Sequence, residues 1–162
     1  MATPRTNTEF DRRRRACLLG AFGGTVALWQ GMALAHSELR LVTVWKDADC
    51  GCCNAWIKHL QANGFKVVSS NVPDTALIRK YLNMPATLGS CHTAVVEDYV
   101  IEGHVPAREI NRLLKEKPRA LGLSVPGMPV GSPGMEMGTK RTPYKVLLVL
   151  ENGSTRVYES YS

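Results

Sequence analysis

A chain of 162 residues, 44% apolar and 21% charged, holds one ordinary globular domain with some residues to spare. It is too apolar for a disordered chain, too polar for a polytopic membrane protein, and shows no internal repeat. Dinucleotide fingerprints, phosphate-binding P-loops and the His-Glu-x-x-His zinc motif are absent, and the net charge of +6 is unevenly spread.

Residues 1–35 read as an export signal. Arg12-Arg13-Arg14-Arg15 is a basic cluster, Ala16 to Ala35 carry no charge, and Ala33-Leu34-Ala35 is a small-residue cleavage site. Arg14-Arg15 with Leu18 resembles a twin-arginine signal, although Arg13 and Cys17 depart from the usual pattern and the general secretory route stays open. Cleavage after Ala35 is expected, giving a periplasmic domain over 36–162 without stable membrane insertion. The alternative is an uncleaved anchor, which the four glycines of the apolar run disfavour. The leader carries five arginines against two acidic residues, half of the net charge. Residues 36–162 have no basic cluster with interleaved aromatics, so no nucleic-acid partner is expected.

Beyond the leader, Leu39–Trp45 is β-branched-rich and reads as a strand, and Asp47-Ala48-Asp49 as a loop. A helix over Asn54–Asn63 begins at or just after Cys50, with Trp56, Ile57 and Leu60 on one side and Gly64 as its stop. Phe65–Val72 is a second strand. Asp74 caps a helix over Thr75–Asn83 that Pro85 ends. Thr93–Val96 and Tyr99–Glu102 form two strands about a Glu97-Asp98 turn. Pro106 starts a helix to Lys117, with Ile110, Leu113 and Leu114 as its stripe. Leu121–Met137 reads as a Pro/Gly/Met loop. Tyr144–Leu150 and Thr155–Tyr161 pair around Asn152-Gly153, a type I′ turn signal, and either extend the sheet or cover the core. The order β-α-β-α-β-β-α, with a right-handed first crossover, predicts a thioredoxin-like α/β fold with a mixed sheet, flanking helices, and this C-terminal loop and hairpin.

Four cysteines lie beyond the leader: Cys50, Cys52, Cys53 and Cys91. Three within four positions staple a chain poorly, so chemistry is their expected use. At a helix N-terminus the dipole and free N–H groups favour thiolate, the form that attacks disulfides and binds soft metals. Cys50 and Cys53 are a C-x-x-C pair, the redox candidates for disulfide exchange, which needs only two thiols. With Cys52 beside them and Cys91 opening the third strand, the set suggests a thiolate cage or two coupled redox pairs. Zinc favours a tetrahedron that three ligands in four residues make awkward, iron–sulfur spacings are absent, and Cu(I) accepts two or three shared thiolates.

Several further blocks accompany the cysteines. They are Ser90-Cys91-His92-Thr93-Ala94, Val100-Ile101-Glu102-Gly103-His104-Val105-Pro106, and Gly122 to Glu136 with its Val125-Pro126-Gly127-Met128-Pro129 core. Together with Cys50-Gly51-Cys52-Cys53 and Trp56 they resemble the CopG-type copper-resistance proteins, a thioredoxin-like family long described as a domain of unknown function. The resemblance implies an exported protein of copper homeostasis. It would hold Cu(I), more than one ion, on Cys50, Cys52, Cys53 and Cys91, and work as a binding protein or as a copper oxidoreductase. A periplasmic copper-efflux or copper-chaperone partner is implied with it. The alternatives are a thiol–disulfide oxidoreductase using Cys50 and Cys53 and a metal-free domain with two disulfides.

Other residues carry weaker signals. If Cys91 and His92 share a strand they point to opposite faces, so only Cys91 is expected at the cage. His104, before Pro106, either reaches the site or orients a loop. His36 would become the new N-terminus, a chelator for Cu(II) or a disordered end. His59 reads as a solvated helix-face residue. Met128, Met135 and Met137 offer soft thioethers as secondary ligands, or adaptable packing over the cluster. Trp45 and Trp56 read as core or site wall, with Trp56 shielding the site.

Overall fold

The computed structural model describes residues 39–162; the expected leader, its cleavage site and His36 lie outside them. Seven strands and three helices alternate along this stretch. The strands are β1 (Arg40–Lys46), β2 (Phe65–Asn71), β3 (His92–Val96), β4 (Tyr99–Glu102), β5 (Gly122–Ser124), β6 (Tyr144–Val149) and β7 (Thr155–Tyr161). The helices are α1 (Gly51–Ala62), α2 (Thr75–Tyr81) and α3 (Ala107–Glu116). They build one mixed sheet in the order β2-β1-β3-β4-β5-β6-β7. The α1 crossover makes β1 and β2 parallel, β3 runs antiparallel to both β1 and β4, and β5 is parallel to β4. The fold is therefore α/β with a mixed sheet, as the element order predicts. Among the described residues no helix is long and apolar enough to cross a membrane.

Alternation along the strands divides the core between the two faces. Val42, Val44, Ala94, Val96, Ile101, Leu123 and Leu148 meet Trp56 and Leu60 of α1 and Ile110, Leu113 and Leu114 of α3 in the main cluster. On the opposite face Val100 and Val149 pack with Met84, just beyond α2. Asp74 caps α2 by accepting the Ala76 N–H at 2.7 Å. The hairpin β6–β7 extends the sheet and docks on α3: Tyr161 donates to the buried Glu109, and the Arg112 guanidinium lies over the Tyr158 ring.

Two local expectations are corrected. Residues 122–124, assigned to a loop, form β5, paired on both sides by β4 and β6. Gly122 belongs there because a Cβ would lie 1.7 Å from the Val100 carbonyl oxygen. The β6–β7 turn is not type I′, which needs two left-handed residues; Gly153 has φ +79° but Asn152 does not share it. The Gly153 N–H reaches the Leu150 carbonyl and the Leu150 N–H the Ser154 carbonyl, a longer loop closed by one left-handed glycine.

Candidate metal centre

Cys50 is the N-cap of α1, with an extended backbone and no side-chain cap, so the first-turn N–H groups are left at the cysteine end of the helix. Cys52 and Cys53 lie in that first turn, and Cys53 is fully buried. Cys91 comes from the far side, in the bend before β3. The four sulfurs lie within 4.8 Å of one another. Cys50 and Cys53 are joined as a disulfide, with Cα atoms 5.3 Å apart, while Cys52 and Cys91 are free thiols. The Cys52 sulfur is 3.5 Å from that of Cys50 and 3.8 Å from that of Cys91.

Both histidines reach the same place. His92 is fully buried, its Nδ1 lies 3.3 Å from the Cys91 sulfur, and its ring lies against Trp56 with centroids 4.3 Å apart. The expectation that Cys91 and His92 face opposite ways is thus overturned. The strand begins at His92, so Cys91 sits in a bend where alternation does not apply. His104 Nε2 is 3.0 Å from the Cys91 sulfur. Its Nδ1 lies 2.8 Å from the Pro133 carbonyl, which can only accept, so Nδ1 carries the proton and the Nε2 lone pair faces the sulfur. Gly103 makes this turn with φ +73°, and a Cβ there would strike Ser90 and the Val125 carbonyl at 2.6 Å.

Burial sets the charge of the cluster. It pushes the Cys91 thiol up to about 12, with the adjacent Cys52 adding to the shift. Burial, then His104, takes His92 down to about 3; burial lowers His104 as well, against the opposing pull of the Pro133 carbonyl and Glu136. Both imidazoles are neutral at pH 7, the form that ligates metal. The buried His92 Nε2 has no hydrogen-bond partner. A pocket of sulfur and imidazole donors, with the Cys91 thiol disfavoured as a bare anion and a buried His92 nitrogen left without a partner, fits a soft cation, which would displace thiol protons. Two groups that share Cys91 could hold such an ion: Cys50, Cys52, Cys53 and Cys91, and Cys91, His92 and His104.

The remaining candidates stand further out. Met128 and Met137 are 53% and 58% exposed, and Met135 is half-buried. Their loop approaches the site through its backbone: Pro133 holds His104, Ser90 donates to the Gly127 carbonyl, and Gly134 lies directly on α1. His59 is corrected from a solvated position: it is half-buried, and its Nε2 accepts the Ala107 N–H at 3.1 Å, capping α3 where Pro106 has no side-chain cap. Trp56 is fully buried and donates Nε1–H to the Val105 carbonyl at 2.8 Å, a site wall tied to the His104 loop. Sequence reasoning missed Arg79 and Glu102. Fully buried Glu102 accepts from Arg79, from the Ser90 N–H and from Thr93. Their one sequence signal is a carboxylate closing the apolar strand run Tyr99-Val100-Ile101.

An α/β domain with a cluster of soft donors at the N-terminus of its first helix defines the class: a candidate soft-metal protein. A family model described as a protein of unknown function, DUF411, matches residues 88–135, which include Cys91, His92, His104 and the glycine-rich loop. Two solved structures titled copper resistance protein copG match much more of the chain. Form 2 is 45% identical with TM-score 0.74, covering 77% of this chain and 100% of its own. Form 1 is 46% identical with TM-score 0.73, covering 76% and 98%. No curated protein sequence matches. The chain belongs to the CopG copper-resistance protein family.

Proposed function

We propose that this protein is an exported copper-binding protein of copper resistance that holds Cu(I) in a polynuclear thiolate site built by Cys50, Cys52, Cys53 and Cys91, with His92 and His104 as nitrogen donors. The observation that carries this reading is the meeting of four sulfurs from two separate segments within 4.8 Å, beside two neutral imidazoles. Disulfide exchange needs two thiols; a third and fourth in contact with them have a use in bridging several Cu(I) ions. Loading requires the thiol state. The Cys50–Cys53 disulfide takes up two electrons and two protons from a dithiol reductant, which leaves as its own disulfide. The relatives are copper-resistance proteins, and the donor set is soft throughout.

On this reading residues 1–35 are the export signal and the domain works in the periplasm, where the Cys50/Cys53 dithiol gives one electron to each of two Cu(II) ions, closes to the disulfide with loss of two protons and is reopened by the dithiol reductant, and the resulting Cu(I) is handed to an efflux or chaperone protein. The β2-β1-β3-β4 order, with β3 antiparallel and a C-x-x-C pair opening α1, supports a thioredoxin-like origin. The Met128–Met137 loop is then a cover over the cluster with secondary thioether ligands.

The Cys50–Cys53 disulfide favours a second reading, a thiol–disulfide oxidoreductase. Insulin reduction by the Cys52→Ala and Cys91→Ala variants, together with copper tolerance in cells, separates the two. The copper reading expects weak exchange activity and tolerance lost in both variants. A vigorous reductase indifferent to Cys52 and Cys91 would establish the second reading instead.

A further inference from the structure

We infer that Arg79 and Glu102 are positioning residues that fix the Cys91 sulfur from the opposite face of the sheet. Residues 89–91 join the short 3-10 turn Ala86–Leu88 to β3, and neither Ser90 nor Cys91 lies in a strand. Gly127 holds the start of this segment, its N–H on the Gly89 carbonyl and its carbonyl on the Ser90 hydroxyl, and the ion pair holds the backbone next to Cys91. Glu102 Oε1 accepts the Ser90 N–H at 2.6 Å and Arg79 Nε at 2.9 Å, and its Oε2 accepts Thr93 Oγ1 at 2.7 Å. Arg79 Nη2 donates to the Ser90 carbonyl at 2.7 Å. That carbonyl belongs to the planar peptide that also contains the nitrogen and Cα of Cys91, so the guanidinium sets the plane from which the cysteine side chain departs. The Ser90 N–H belongs to the preceding plane. Two successive peptides ahead of Cys91 are therefore pinned by one buried pair, and a Cβ on Gly89 would lie 3.0 Å from the guanidinium carbon.

Stability alone does not account for this pair. Glu102 is fully buried and Arg79 is 8% exposed, and a packed apolar pair of similar volume generally stabilises a core as well as a buried ion pair does. What an apolar pair lacks is a forked donor that holds a carbonyl and a carboxylate at once. Cys91 has to meet Cys52, His92 and His104 at 3.0–3.8 Å, and a bend without ladder bonds does not hold that spacing by itself.

The test uses Arg79→Met/Glu102→Gln, which removes both charges together and leaves no unpaired buried ion. In reduced, metal-free protein the alkylation rate of Cys91 is read by mass spectrometry against that of Cys52. The inference expects Cys91 to react about tenfold faster than in the wild type, with Cys52 within about twofold, as local freeing of one segment requires. A folded double variant whose Cys91 reacts at the wild-type rate overturns it, whatever happens to its melting temperature. Should the double variant not fold, Arg79→Lys carries the same test: it keeps the charge pair and surrenders the fork to Ser90, and an unchanged Cys91 rate again overturns the inference. Copper loading is the second readout and rests on the proposed function. The variant should bind as little Cu(I) as Cys91→Ser does. A wild-type protein that binds no copper would sink the copper reading while the alkylation rates still decide the clamp.

Discussion

Gly134→Ala tests whether the glycine-rich loop is seated on the metal-site helix. Gly134 has φ +85°, and an added Cβ would lie 2.7 Å from the Cys52 carbonyl oxygen and 2.7 Å from the Trp56 nitrogen, two partners in the i, i+4 spacing of α1. Neither backbone atom can turn away, so the loop has to lift. The left-handed backbone costs an alanine about 1 kcal/mol, and the forced displacement adds about 1–3 kcal/mol, for a total of about 3 kcal/mol. Gly127→Ala is the matched control: its φ is +70° but nothing lies within 4 Å of its Cβ, so only the backbone part, about 1 kcal/mol, is expected. Urea unfolding followed by tryptophan fluorescence reads both. Lifting the loop also withdraws Pro133 from His104, so the imidazole proton exchange seen by NMR should quicken in Gly134→Ala alone. Equal losses in the two variants would refute the seating of the loop on α1.

Trp56→Phe leaves the Val105 carbonyl without its 2.8 Å donor and a gap against His92, at a cost of about 2–3 kcal/mol in stability read by urea unfolding; a loss below about 0.5 kcal/mol would contradict the contact. The hairpin should loosen in alkali. Burial raises Tyr144 to about 12 and raises Tyr158 and Tyr161 further, the latter two aided by hydrogen bonds to Glu116 and Glu109. Unfolded phenols ionise near pH 10 while these stay protonated, so their stabilisation is whole below pH 10 and is lost as pH rises toward and beyond 12. Urea midpoints should fall between pH 9 and 11, less steeply in Tyr158→Phe/Tyr161→Phe; a flat profile would contradict the linkage. Intact mass of protein from the periplasmic fraction should begin at His36, and full-length chain in the membrane would favour an anchor instead.

Most of the element order is legible in the sequence because periodicity and punctuation agree: Asp74 before α2, Gly64 after α1 and Pro106 before α3 mark ends that local chemistry decides. Strand β5 is not legible, since three residues among prolines and glycines become a strand only through partners in β4 and β6. The four cysteines stand out by type and spacing. The place of His92 does not, because strand alternation fails one residue before the strand starts. The proton on His104 depends on Pro133, 29 positions away, and the Arg79–Glu102 pair joins a helix to a strand 23 positions on. Pairings of that kind arise from packing and leave no local pattern.

Copper bound per folded monomer in Cys91→Ser, loaded anaerobically under reducing conditions and followed by X-ray absorption, tests the thiolate cage most directly. Shared sulfurs make the site fail as a whole, so the variant should fold normally yet lose most of its copper and any short copper–copper vector, its three remaining thiolates holding about one Cu(I) in trigonal geometry. Full copper content with the wild-type metal–metal signal would contradict a cage closed by Cys91.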